Sequence, residues 1–226
     1  MPSPQPYHAA VTGDIVQSTR LAREQFREVQ DAITNAGAEL ARHFPQRMPL
    51  PVELSRGDSW QIFVLDPADS LRMALYMRAF IRAQTGVDTR ISIGVGSVDK
   101  MPEKSVGDGR GEAFRLSGDM AEKKRAPRMR FAMEPDDTPE DGGGMSRAIS
   151  TILTVLDVVV ARWTSAQATA VRGALLGWKQ EEIAEKWPAK PITQQSAWQH
   201  LDRAGWDGVE TAIDYYESVM KKWSPR

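Results

Sequence analysis

The chain has 226 residues, enough for one large domain or for a medium and a small one. Hydrophobic and charged residues make up 41% and 26%, an ordinary globular composition; a formal charge of −1 supplies no overall basic field, so any contact with nucleic acid or anionic lipid needs a local patch. The lack of cysteine excludes disulfides, thiolate metal sites and cysteine nucleophiles together and suits a reducing interior. His8, His43 and His200 are too dispersed for a paired zinc motif. The proline-rich start, Met1 to Pro6, lacks the basic and apolar regions of a signal peptide. No apolar run approaches the ~20 residues of a membrane span. The expectation is a cytoplasmic protein with no membrane attachment.

Tyr7 to Val11 reads as a strand. Ser18 or Thr19 then caps a helix running to about His43, with Phe26, Val29, Ile33, Ala36, Leu40 and Phe44 forming one buried stripe. Leu50 to Leu54 and Gln61 to Leu65 read as a hairpin with Asp58 near its tip. Pro67 opens a second helix, with Leu71, Ala74, Leu75, Met77 and Ile81 inward. Thr89 to Val98 is a strand whose glycines imply close approach of another backbone or a ligand. Strand, helix, strand, strand, helix, strand is the ferredoxin-like split βαβ order. A glycine-rich loop, a helix over Gly111 to Lys124 and an added strand at Arg128 to Met133 complete the front part.

From Glu134 to Gly144 the sequence is acidic and rich in glycine and proline, and it reads as a flexible linker. The division expected is an α+β domain over 1–133, a linker over 134–145 and a small all-α domain over 146–226. Helices are expected from Ile149 to Trp163, Ala166 to Leu176, Lys179 to Trp187, Ile192 to Arg203 and Val209 to Lys222. Tryptophans 163, 178, 187, 198, 206 and 223 are expected to build the core of this part.

Two Gly-Asp pairs, Gly13-Asp14 and Gly57-Asp58, each adjoin a strand. If the strands are neighbours, both carboxylates can point at one cation. Hard oxygen ligands of this kind suit Mg²⁺ or Mn²⁺ shared with substrate phosphates. The alternative is that both pairs are ordinary turns at strand ends.

Taken in order, Gly13-Asp14-Ile15-Val16-Gln17-Ser18-Thr19, Gly57-Asp58, Arg90-Ile91-Ser92-Ile93-Gly94-Val95-Gly96 and Asp108-Gly109-Arg110-Gly111 resemble the catalytic domain of class III nucleotide cyclases, nearest to the SatD-like bacterial branch. The resemblance spans residues ~7 to ~133. It implies that Asp14, Asp58 and the Ile15 carbonyl hold Mg²⁺ or Mn²⁺. It also implies that backbone N–H groups of Gln17, Ser18 and Thr19 meet the phosphates of a nucleoside triphosphate, that Asp108 reads the base, and that the site forms in a homodimer. The chain departs from that pattern on the helix after Gly111. There the asparagine and arginine of active cyclases are replaced by Arg115 and Asp119. Arg115 could take over the catalytic arginine's task from one turn earlier, whereas Asp119 would repel phosphate. Leu54 stands at the position of the base-recognition lysine.

Gln180 to Arg203 resembles the helix-turn-helix of winged-helix or sigma-region-four regulators. Gln194, Gln195, Ser196, Gln199, His200 and Arg203 would be the residues that meet nucleic acid. The turn from Trp187 to Pro191 is longer than usual, and acidic and basic residues balance beyond Trp163, so phosphate attraction is thin. Packing or dimerisation is the competing use. The combined expectation is a metal-dependent, cyclase-like binder of nucleoside triphosphates with a helix-turn-helix output or adaptor part. Its alternative is a catalytically inactive, nucleotide-sensing DNA-binding regulator.

Overall fold

A computed structural model describes residues 6–55, 57–123, 127–134 and 144–223. Arg56 and most of the expected acidic linker lie outside the described residues.

The described residues form a five-stranded sheet in the order β2-β3-β1-β4-β5, with β1 His8–Ile15, β2 Glu53–Ser55, β3 Ser59–Val64, β4 Thr89–Gly96 and β5 Met129–Met133. Helix α1 (Arg23–His43) joins β1 to β2, and α2 (Ser70–Thr85) joins β3 to β4. In each crossover a third, antiparallel strand lies between the two that the helix connects: β3 in the first and β1 in the second. That is the split βαβ arrangement expected from the sequence. Helix α3 (Glu112–Ala121) follows β4, and β5 then adds parallel to β4.

Alternation along β1 sends Ala9, Val11 and Ile15 into the core shared with α1 and α2, and leaves Ala10, Thr12 and Asp14 for the other face. Helix α3 covers part of that second face, with Thr12 Oγ1 and Ser117 Oγ 3.1 Å apart. Gly94 makes the approach feasible, since a Cβ there would lie 2.3 Å from the Ala113 carbonyl oxygen and 2.6 Å from the Ser117 nitrogen. The close neighbour implied by the strand's glycines is therefore a helix backbone.

The C-terminal part consists of α4 (Met145–Val160), α5 (Ser165–Leu175), α6 (Gln180–Glu185), α7 (Gln194–Arg203) and α8 (Trp206–Trp223). It packs directly on the sheet domain. α2 lies between α1 and α5, which is why it is apolar on most of its circumference. At α8, Ser70 donates to the Pro67 carbonyl at 2.7 Å and, having one hydroxyl proton, accepts from Tyr216 Oη, also at 2.7 Å. Of the tryptophans expected in this core, Trp163 and Trp206 are buried, while Trp198 is 48% exposed and stays outside it.

An ionic cluster also joins the two parts. Arg78 of α2, with no exposed side-chain surface, holds Asp88 through Nε and Nη2 at 2.8 and 3.0 Å and Asp157 of α4 through Nη1 at 2.7 Å. Arg82 and Arg128 also reach Asp88, at 2.7 and 2.5 Å. The Arg128 backbone N–H donates to Asp157 at 2.7 Å.

Removing one partner of such a buried pair leaves the others charged and uncompensated. Arg78→Met is expected to lower the unfolding free energy by about 3–5 kcal/mol, measured by urea denaturation; a loss below about 1 kcal/mol would show that the cluster is energetically idle. Acid should act on the same cluster. Burial alone would raise the Asp88 carboxyl, but the hydrogen bonds and charge of Arg78, with Arg82 and Arg128, outweigh it and hold the group below its usual 3.8. A carboxyl depressed by folding contributes stability above its unfolded value and loses it as pH falls through the folded one. Below about pH 4, wild-type protein should therefore lose stability more steeply than Asp88→Asn, in acid titrations followed by circular dichroism.

Candidate functional site

Asp14 lies near the end of β1, directly opposite Ser59 of β3 and Arg90 of β4. Asp58 belongs to the turn between β2 and β3, one residue before Ser59. The Ile15 N–H donates to the Asp58 carbonyl at 2.9 Å, so the backbone itself fixes the two aspartates as neighbours. The turn is held from α1 as well, where Gln30 donates to the Gly57 carbonyl at 3.0 Å. Gly57 has φ +86°, the left-handed region that favours glycine.

Both carboxylates line one cleft of about 310 Å³. Thr12, Ser55, Ser59 and Gln61 supply further oxygen and amide groups, and Gly118, Ala121 and Glu122 close it at the end of α3. Gly13-Asp14 lies within β1 and only Gly57-Asp58 forms a turn; together they bring two carboxylates to one opening. Ile15 is 1% exposed, its side chain committed to the core, and it is not among the residues that line the cleft. Among the described residues no cluster of three or more histidine, cysteine, aspartate and glutamate side chains is placed to hold a metal. Two aspartates with neighbouring neutral oxygens nevertheless fit Mg²⁺ or Mn²⁺, which usually take one or two protein carboxylates and complete their shell with water and phosphate.

Each aspartate has an internal partner. Ser18 Oγ donates to Asp58 Oδ2 at 2.7 Å, and Arg90 Nη1 lies 2.8 Å from Asp14 Oδ2. The Ser18 bond explains a departure from the expected helix start. Residues Ser18–Arg20 form a short 3-10 turn after Gln17, which adopts φ 58° and ψ 34°, and α1 begins only at Arg23 with Ala22 as its cap residue. Ser18 therefore binds the metal-site candidate instead of capping the helix. Gln17 and Thr19 are exposed beside it, in a tight turn and not at an α-helix N-terminus.

Arg115 and Asp108 are elsewhere. Arg115 is paired with Glu112 and with Asp119, the latter at 2.6 Å. The Arg115 hydrogen bond holds the Glu112 carboxyl below its usual range. Arg115 borders a second cleft, of about 540 Å³, with Ser97, Asp99, Gly109 and Glu134. Asp108 sits next to Gly109 in a short 3-10 turn, Val106–Asp108. Within one chain the structure does not bring either residue to the cleft of Asp14 and Asp58.

On α7, Thr193 caps the helix by accepting from the Ser196 N–H at 3.1 Å. Gln194 donates to Glu181 of α6 at 2.8 Å. His200 stacks on Trp187 with ring centres 5.1 Å apart, and burial followed by the charge of Arg203 lowers its pKa. Gln195 and Arg203 are exposed, as are Trp198 and Asp202; Ser196, Gln199 and His200 are half-buried. The six positions share a helix, yet they do not form one free polar face.

Sequence reasoning missed Thr12, Ser59 and Gln61, although strand alternation places each two residues from another cleft residue. It also gave Arg90 no role, because the pairing of Arg90 with Asp14 depends on the β1–β4 register.

Gly13 also constrains the site: a Cβ there would lie 1.9 Å from the Trp60 ring. Trp60 in turn donates from Nε1 to Thr89 Oγ1 at 3.1 Å, and Thr89 donates to the Asp14 carbonyl at 3.1 Å.

No family model matches this sequence, and no curated protein does either. Among solved structures the chain is similar to the guanylyl cyclase Cya2, at 14% identity over 52% of this chain and 70% of that one, with a TM-score of 0.39. It is also similar to a bacterial light-regulated adenylyl cyclase in two structures. These show 12% and 13% identity over 57% of this chain and 77% and 44% of the others, both with a TM-score of 0.40.

Gly13→Ala should force Trp60 to move and destabilise the protein by about 1–3 kcal/mol. A melting temperature equal to wild type would show that the tryptophan does not brace the aspartate strand.

Proposed function

We propose that this chain binds a nucleoside triphosphate through a divalent cation, Mg²⁺ or Mn²⁺, held by Asp14, Asp58 and the Ile15 carbonyl, in the manner of a nucleotidyl cyclase. The observation that carries this reading is the shared cleft of Asp14 and Asp58, bordered by hydroxyl and amide groups able to meet a polar ligand and by a third carboxylate, Glu122. The turn of Gln17, Ser18 and Thr19 beside Asp58 is the proposed place for phosphates. A bound cation would offset phosphate charge and polarise the oxygens around the α-phosphorus.

The positions of Arg115 and Asp108 bear on turnover. Arg115 shares its charge with two carboxylates and borders another cleft, so one chain offers the Asp14–Asp58 cleft no arginine from α3. The proposal is that a homodimer would be needed to place α3 of one copy near the aspartates of the other. As it stands the geometry favours binding over turnover. That supports the second reading, in which the chain is a nucleotide sensor without turnover and α6 and α7 act as a helix-turn-helix. For that role Ala184 and Ala197 are buried where the helices pack, and the Ile192 N–H donates to the Ala184 carbonyl at 3.0 Å. Gln195 and Arg203 are the residues best exposed to reach DNA. No described helix is long and apolar enough to cross a membrane, so the reading invokes no membrane-spanning helix.

The test is calorimetric titration of each of the four common nucleoside triphosphates with Mn²⁺ present, on wild type and Asp58→Ala, followed by chromatography of the mixtures. Metal-dependent binding in wild type is expected, with at least a tenfold loss in Asp58→Ala, roughly the effect of removing a charged ligand group, and an unchanged circular dichroism spectrum. A cyclic product with pyrophosphate would establish an enzyme; intact nucleotide would favour the sensor. Absence of metal-dependent binding by wild type would refute the proposal.

A further inference from the structure

The two aspartates of the cleft are not equivalent. Asp58 receives a neutral hydroxyl, that of Ser18, and such a bond can persist while the carboxylate ligates a cation through its other oxygen. Asp14 instead carries a guanidinium. Arg90 Nη1 is 2.8 Å from Asp14 Oδ2, with the two side chains 18% and 14% exposed, so solvent screening is weak. The pair is also set by the backbone, because Asp14 and Arg90 are direct partners in the β1–β4 ladder. Arg130, on the neighbouring strand β5, is a nearby like charge, and after burial the charge of Arg90 is the next cause lowering its pKa; the Asp14 carboxylate is the counter-charge that Arg90 holds against it.

We infer that Arg90 is a built-in competitor for the divalent cation at Asp14. It neutralises the carboxylate in the metal-free protein and weakens binding of the cation on its own. This rests on the proposal that Asp14 and Asp58 form a cation site. A cation arriving at Asp14 must either displace the guanidinium or share the carboxylate with it, and both options carry an electrostatic cost. Removing the positive charge at residue 90 removes that cost and leaves both aspartates in place.

The experiment is titration of the full chain with Mn²⁺ alone, reading free Mn²⁺ by electron paramagnetic resonance, so that nucleotide and turnover play no part. The variants are Arg90→Met, Arg90→Gln, Arg90→Lys and the double variant Arg90→Met/Asp14→Asn, each checked for folding by circular dichroism. Arg90→Met and Arg90→Gln are expected to bind Mn²⁺ about tenfold more tightly than wild type. Arg90→Lys, which keeps the charge, should stay close to wild type, and the double variant should lose the gain. Equal affinity in wild type and the neutral variants, with binding still dependent on Asp14, would overturn the competition while leaving the cation site standing. If Asp14 proves irrelevant to Mn²⁺ binding in every folded variant, the cation site and the inference fall together.

Discussion

The bidentate grip of Arg78 on Asp88, extended to Asp157, is the interaction on which the rest of the molecule depends. A guanidinium without solvent exposure is costly unless its donors are met. Here Nε, Nη1 and Nη2 all are, by carboxylates at 2.7–3.0 Å. The acceptors come from the residue just before β4 and from α4, so the cluster is satisfied only when the sheet domain and the helical part are docked. Apolar packing of α5 against α2 supplies the area of the junction, and the ionic cluster supplies its register. With Arg82 and Arg128 also on Asp88, three arginines converge on two aspartates, leaving the junction one positive charge in excess.

The same cluster reaches the candidate site through main chain. The Asp88 carbonyl accepts from the Val16 N–H at 2.9 Å, two residues beyond Asp14. The next residue, Thr89, takes the Trp60 indole and gives its hydroxyl to the Asp14 carbonyl. Asp14 is thus braced from the strand on one side by the start of β4 and on the other by the turn that carries Asp58. The path from Asp157 of the helical part to Asp14 is short: Arg78, Asp88, then Val16 and Thr89. A connected set of contacts thus runs from α4 to the backbone from which Asp14 projects.

How much of this was legible depended on whether the cause was local. The split βαβ order came from apolar alternation and helical periodicity, which are properties of short windows. The pairing of the two Gly-Asp pairs, one within β1 and one in the turn before β3, was legible too, because the split arrangement puts β1 beside β3. Three kinds of feature were not. Ser18 reads as a helix cap because serine before an amphipathic run usually is one; its hydroxyl goes instead to Asp58, forty residues away. Trp198 was assigned inward with the other tryptophans of this part, yet α7 turns Ala197 and Leu201 to the core and leaves the indole 48% exposed. Arg78 lies on an otherwise apolar helix, where periodicity treats an arginine as an exception at the surface; its partner Asp157 is 79 residues further on. Charged partners separated this far leave no trace in a window.

The location of the cleft follows from what covers the sheet. One face is sealed by α1 and α2, with α4 over β5, and its side chains are almost all apolar. The other is only partly covered, because α3 is a short helix that ends at Ala121. Near its middle, Gly94 lets the helix backbone lie almost on β4; at its end, Gly118 and Ala121 present little side chain to the sheet. The polar residues Asp14, Ser59 and Gln61 of β1 and β3 therefore keep an opening, with Thr12 buried at its edge. A longer α3, or larger residues in its last turn, would close that opening and leave Asp14 with Arg90 as a buried ion pair of structural use alone. Two small residues at the end of one helix thus separate an open cleft from a salt bridge closed inside a sheet domain.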